Sequence, residues 1–103
     1  MSLNLNLNLN FTVQSVNKGI ISGVFTRDYI NDIILLGETF IANSDMPNID
    51  LKNASVCDSA AVALLIHWWG VALKQNKKII FTNLSDKMLS IMRISGIDNI
   101  IIN

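Results

Sequence analysis

The sequence predicts an α/β domain in which a mixed β-sheet is covered by α-helices. Three observations carry that expectation. Two short runs rich in β-branched and aromatic residues open the chain with a turn between them. Three later stretches repeat apolar residues at helical spacing, and strand-length apolar runs separate those stretches. Strands first, then helices alternating with strands, give a sheet sheltered by helices.

Phe11 to Val16 and Ile20 to Phe25 are the opening strands, and Asn17-Lys18-Gly19 between them reads as a hairpin turn, so these two strands are antiparallel. Thr26 is placed to N-cap a first helix, with Asp28 in its first turn and Tyr29, Ile33, Leu36, Phe40 and Ile41 recurring on one face. Asn43 to Pro47 is rich in turn formers, and Asn48 to Lys52 is a short strand ending at Asn53. A second helix runs from Asp58 to about Gln75, followed by a strand at Lys78 to Thr82. The third helix, Ser85 to Ser95, carries Met88, Ile91 and Met92 on one face and has Gly96 at its C-terminal cap. Ile100 to Ile102 is positioned to close the sheet. Within residues 1–10, Leu alternates with Asn from Leu3 onward, a low-complexity pattern with a strand-like period of two. It is either an N-terminal tail or, the favoured alternative, an extension of the first strand, leaving 11–103 as one domain.

Composition excludes several classes of function. Eight basic and eight acidic residues cancel and lie scattered, so no basic stripe is present to neutralise phosphates and nucleic acid is not an expected partner. A lone Cys57 and a lone His67 give neither a disulfide framework nor a metal cluster of familiar spacing. The most apolar stretch, Ala60 to Leu73, is interrupted by His67 and Gly70 and falls short of the roughly 18 residues a membrane span needs, so no direct membrane insertion is expected. The N-terminus lacks the cationic and continuous apolar regions of a signal peptide, and a cytoplasmic location follows as the expectation. Only 16% of the residues are charged while half are hydrophobic, which leaves apolar surface for another protein to cover.

The second helix is where that surface is expected. At about 100° per residue, Ala61, Val62, Leu65, Trp69 and Ala72 share one side and should face the sheet. The other side carries Ala60, Ala63, Leu64, His67, Gly70, Val71 and Lys74, small and apolar where a solvated helix would show Glu, Lys and Gln. Ser59 stands in the first turn, where free backbone N–H groups and the positive helix end favour an oxygen acceptor or a phosphate; Asp58 or Ser59 can equally be a plain helix cap. No nucleophile or carboxylate is spaced to accompany His67 on its own helix face, so no catalytic residues and no cofactor are expected. Cys57 reads as a packed loop residue whose neighbour Asp58 would raise, not lower, its thiol pKa.

The strand Ile49-Asp50-Leu51 leads through Asn53-Ala54-Ser55-Val56-Cys57 into Asp58-Ser59-Ala60-Ala61-Val62-Ala63-Leu64-Leu65, and this segment resembles the signature of STAS domains. Lys74-Gln75-Asn76-Lys77-Lys78 and Ser95-Gly96-Ile97 extend the likeness to nearly the whole chain from Phe11 onward. The resemblance implies the STAS (SpoIIAA-like) fold and a protein that docks without catalysing. Within the family, Asp58-Ser59-Ala60, Val62-Ala63-Leu64-Leu65 and the nearby His67-Trp68 are similar to the small STAS subunit of the bacterial Mla phospholipid-trafficking ABC transporter. That implies the cytoplasmic transporter ATPase as partner, a place peripheral to the inner membrane, and Ser59, Ala60, Ala63, Leu64, His67, Gly70 and Val71 as contact residues. The alternative branch, the anti-sigma factor antagonists, implies phosphorylation at Ser59. Its usual Gly residues are replaced here by Ala61 and Ala63.

Overall fold

The computed structural model of the chain describes residues 9–96. Strands β1 (Leu9–Ser15) and β2 (Lys18–Phe25) form the antiparallel hairpin, and β3 (Asn48–Cys57) and β4 (Ile80–Thr82) add to it in parallel, giving the order β1-β2-β3-β4. A short 3₁₀ turn (Ile30–Asp32) and helix α1 (Ile34–Asn43) connect β2 to β3, α2 (Ser59–Lys74) connects β3 to β4, and α3 (Asp86–Ser95) follows. Both crossovers step in the same direction along the sheet, so the right-handed rule places α1 and α2 side by side on one face. The mixed sheet covered by helices is the architecture expected from the sequence. The proposed closing strand at 100–102 and most of the Leu-Asn repeat lie outside the described residues; of the repeat, Leu9 and Asn10 belong to β1.

The hairpin turn is Val16-Asn17, one residue earlier than the spacing suggested, and it is tied down by the loop that leads into β3. Asn17 Oδ1 accepts from the backbone N–H groups of Asp45 (3.1 Å) and Met46 (3.3 Å), its carbonyl accepts from Asn48 N at 2.9 Å, and the buried Ser44 hydroxyl donates to the Val16 carbonyl. These bonds dock the α1–β3 loop onto the turn and set the register of β3 beside β2.

Strand β3 is twice as long as predicted. The sequence predicts that the strand ends at Asn53 and that the residues on to Cys57 are loop, and the alternation of polar and apolar residues does break at Lys52-Asn53. The break is real, but it comes from two irregularities: Ile20 pairs with Asp50 and Ser22 with Asn53, then Gly23 pairs with Ala54 and Val24 with Val56. At each point β3 holds one extra residue, which shifts the side chains to the other face without ending the ladder.

The core contains Ile21, Phe25, Ile33, Phe40, Ile41, Ile49, Leu51, Val62, Leu65, Trp68, Met88 and Met92. Its centre is the largest fully buried side chain, Trp68. The indole N–H donates to the Ile34 carbonyl at 3.1 Å, and the ring lies so close over Gly37 that a Cβ there would sit inside it. Glycine at 37 is therefore a packing requirement. Phe11 meets the Trp68 ring edge-on at 5.8 Å, and a Cβ on Gly19 would come within 2.6 Å of the Phe11 ring.

Three expectations about the helices are corrected. Helix α1 begins at Ile34 after the 3₁₀ turn, and Thr26 caps nothing with its side chain; only its carbonyl accepts, from Tyr29 N. Leu36, assigned to the buried face, is 51% exposed. Trp68 is the core tryptophan, whereas Trp69 is only partly buried against the cluster. Ser85 accepting from Met88 N and Gly96 in the left-handed region at φ 73° bound α3 as predicted.

Candidate functional site

The start of α2 is assembled from three elements. Asp58 is its N-cap: Oδ1 accepts from Ala61 N at 3.1 Å, and Oδ2 accepts from Arg27 N at 3.1 Å, just beyond β2. One carboxylate thus fixes the helix end and the β2 exit together. Because Asp58 occupies the cap, the Ser59 hydroxyl is released from that duty and stands exposed in the first turn.

From Ser59 the exposed side runs through Ala63, Ile66, Gly70 and Leu73, a spacing of four, three, four and three that keeps one stripe on a 3.6-residue helix. Ile66 is 38% and Leu73 57% exposed. Among the described residues a Cβ on Gly70 would meet nothing within 4 Å, so this glycine answers no packing need there and leaves a notch in the stripe. His67 and Lys74 flank the stripe, and His67 Nε2 lies 2.6 Å from Glu38 Oε2 of α1. The carboxylate missing from the histidine's own helix face is supplied by the neighbouring helix, as a hydrogen-bond partner on the surface.

Of the contact residues expected from the sequence, Ser59, Ala63 and His67 are exposed, and Ala60 and Gly70 are half-buried. Leu64 is a correction. It is only 4% exposed and belongs to the core, because the true inner face is centred on Ala61, Leu65, Trp68 and Ala72 and so rolls Leu64 inward. Val71 rolls the same way and packs against the core while half-buried. Ile66 and Leu73 were missed. Their signal was the heptad-like spacing from Ser59, which becomes visible once Trp68 is placed inside.

Cys57 ends β3 and is 4% exposed. Burial pushes its thiol pKa up; the Ser85 hydroxyl at 3.9 Å and the Lys87 charge oppose this less strongly, and the Asp58 charge adds the smallest push upward. A thiol held in its neutral form is a packing group. Asp50, on the sheet face away from the helices, accepts from Lys52 N (2.8 Å) and Asn83 Nδ2 (2.9 Å) and lies 3.7 Å from the Lys18 ammonium. Burial alone would raise its pKa; the two hydrogen bonds and the Lys18 and Lys52 charges outweigh it, so the carboxyl titrates below its ordinary value. Its place in the Asp50-Leu51 pair is explained by structure: it fastens the β4–α3 turn, where Asn83 holds a left-handed φ of 58°, to the middle of the sheet. Among the described residues no group of three His, Cys, Asp or Glu is placed to hold a metal, and no helix is long and apolar enough to cross a membrane.

A four-stranded mixed sheet with an Asp-capped second helix presenting a serine is the architecture of a STAS domain. The family model described as "Mlab, STAS domain" matches residues 20–102, and the chain belongs to that family. Among solved structures it is similar to the anti-sigma factor antagonist SpoIIAA in its unphosphorylated form, with 16% identity, a TM-score of 0.65, and coverage of 84% of this chain and 82% of that one. It is likewise similar to the Bacillus cell fate determinant SpoIIAA in the phosphorylated form, with 16% identity, a TM-score of 0.68, and coverage of 91% and 88%. At that identity the likeness is one of fold. No curated protein matches the sequence.

Proposed function

We propose that the chain is a non-catalytic accessory subunit that docks, through the outer stripe of α2, onto the cytoplasmic ATPase of a phospholipid-transporting ABC complex and supports its assembly and activity. The observation that carries this is the outer run beginning at Ser59, in which Ala63, Ile66 and Leu73 are exposed and the half-buried Gly70 forms a notch between the larger apolar ones, on a helix whose other side is committed to the core. Such a face lets a second helix or loop approach closely, and among the described residues nothing covers it. Membership of the Mlab family points to the transporter as the setting. The domain would then sit at the inner membrane only through its complex, on the cytoplasmic side.

The test is co-purification with the ATPase subunit of such a transporter from the same organism. Ala63→Glu leaves the domain folded, since residue 63 is exposed, but buries an unpaired charge on docking and abolishes capture. Undiminished capture by the folded variant removes this surface from consideration.

The exposed, uncapped state of Ser59 also supports a second reading, an anti-sigma factor antagonist switched by phosphorylation at that hydroxyl. A phosphate there would be favoured by the helix end yet would obstruct a partner bound at Ala63. Ser59→Ala separates the two: it leaves transporter docking intact, but it locks an antagonist in its active state. Neighbouring genes give the same discrimination, with a permease and ATPase on one side and a serine kinase and sigma factor on the other.

A further inference from the structure

His67 is the sole histidine of the sequence, and its ring links the two crossover helices. Nε2 lies 2.6 Å from Glu38 Oε2 of α1, and the two side chains are 49% and 33% exposed. A carboxylate has no proton to give, so this bond requires Nε2 to carry the hydrogen and donate it. In the neutral ring the other nitrogen, Nδ1, is then an acceptor. Among the described residues Nδ1 has no hydrogen-bond partner, and no lysine or arginine pairs with Glu38.

The surroundings leave that acceptor within reach of another molecule. The neighbours of His67 one turn away along the outer side of α2 are Ala63 and Gly70. One ends at its Cβ and the other has none, so neither shields the ring. Lys74 stands two turns on, about 10 Å along the helix, and leaves the charge of the pair unanswered.

We propose that Glu38 and His67 form the polar anchor of the docking face and take a lysine or arginine side chain of the partner, whose N–H donates to His67 Nδ1 and whose charge answers the Glu38 carboxylate. This rests on α2 being the docking helix, and it adds the chemistry of what docks there: an apolar surface with a basic side chain at its edge. A cation fits better than a neutral donor. With His67 neutral the pair carries one net negative charge, and docking takes that charge out of water beside Ala63, where it needs a counter-charge. A hydroxyl would satisfy Nδ1 and leave the charge unpaired. Glu38 is a positioning residue in this arrangement, since it fixes which nitrogen of His67 faces the partner, and through it α1 becomes part of the site.

Because the chain has one histidine, the first test is spectroscopic. The long-range nitrogen–proton NMR spectrum of the free full chain at neutral pH should show the ring protonated at Nε2. Protonation at Nδ1, alone or together with Nε2, overturns the proposal. The second test is affinity for the ATPase subunit of such a transporter from the same organism. His67→Ala, His67→Gln and Glu38→Ala should each weaken binding about tenfold or more, with the circular dichroism unchanged. His67→Asn should stay within about threefold of wild type, because the asparagine Oδ1 can take the place of Nδ1 whereas the glutamine amide reaches only the place of Nε2. A packing role alone would not separate asparagine from glutamine in that order. Equal losses in those two variants, or wild-type binding by His67→Ala, overturn the anchor. If Ala63→Glu abolishes binding while His67→Ala does not, α2 remains the docking helix and the anchor alone falls; if Ala63→Glu binds undiminished, the face and its anchor fall together.

Discussion

Helices α1 and α2 are both crossovers between neighbouring strands, yet they begin in opposite ways. Helix α2 starts cleanly at Ser59 because Asp58 accepts from Ala61 N and at the same time holds Arg27 N. Helix α1 has no side-chain cap; it eases through a 3₁₀ turn, and its first turn is fixed by Trp68 reaching across to the Ile34 carbonyl. One helix end is set by local chemistry and the other by a tertiary contact. The end with local chemistry is the one that displays the candidate site. A docking surface must be in place before its partner arrives, and a capped terminus anchored to a second element provides that, whereas α1 depends on the very core it helps to build.

The strongest way to break the contrast is at the contact on which α1 depends. Trp68→Ala should cost about 3–5 kcal/mol, the usual range for deleting a buried tryptophan, and in a domain this small much of the population would unfold. Gly37→Ala attacks the same contact from the other side. Its new Cβ overlaps the Trp68 ring, so a loss of about 1–3 kcal/mol or more is expected despite alanine's better helix propensity. Urea denaturation of Gly37→Ala, of Trp68→Leu and of the two combined measures the coupling. If the smaller side chain at 68 does not relieve part of the Gly37→Ala loss, the ring is not what excludes the Cβ.

This contact also explains what could be read from the sequence and what could not. The hairpin, the order of elements, the caps of α3 and the Asp-Ser start of α2 follow from signals a few residues apart, and all were legible. Which tryptophan faces inward was not. Periodicity gives the width of an apolar face but locates its centre poorly when Trp68, Trp69, Leu64 and Leu65 are all apolar. The deciding feature is the hole at Gly37, thirty-one positions away on another helix. Rolling the face toward Trp68 takes Leu64 out of the site and lets Ile66 and Leu73 into it. Thr26 failed for a related reason: a good capping residue was present, but Ile33 packing in the core chose the helix start. In β3 the two extra residues hid a strand behind a broken alternation.

A middle-sized effect is expected at Asp50, which extends the comparison to the approach of α3. Asp50→Ala removes the acceptor for Asn83 Nδ2 and Lys52 N, and the loss should be about 1–3 kcal/mol at neutral pH. Since the folded-state pKa lies below the ordinary 3.8, the carboxylate's contribution is complete above that value and is lost as the pH falls through the lowered folded pKa. Denaturation midpoints of wild type and Asp50→Ala should therefore differ most near neutrality and converge in acid. A gap that stays constant down to about pH 3 would mean that the ionised form has no special role.

The smallest expected effects sit side by side at the start of α2, where they sharpen the comparison most. Asp58→Ala removes one helix cap and one anchor on the β2 exit, and should cost about 1 kcal/mol, up to about 2 where a cap holds tertiary structure as well. Ser59→Ala touches neither bond. The hydroxyl is exposed and alanine is the better helix former, so stability should change by less than about 0.5 kcal/mol. The pair can be read in one thermal-denaturation series with both variants beside wild type. If Ser59→Ala is the more damaging of the two, Ser59 is the working cap, the exposed hydroxyl is not available for display, and the case for either docking or phosphorylation at this position loses its structural basis. If the order is as expected, any effect of Ser59→Ala on partner binding or regulation can be assigned to the surface, because the fold beneath it has not moved.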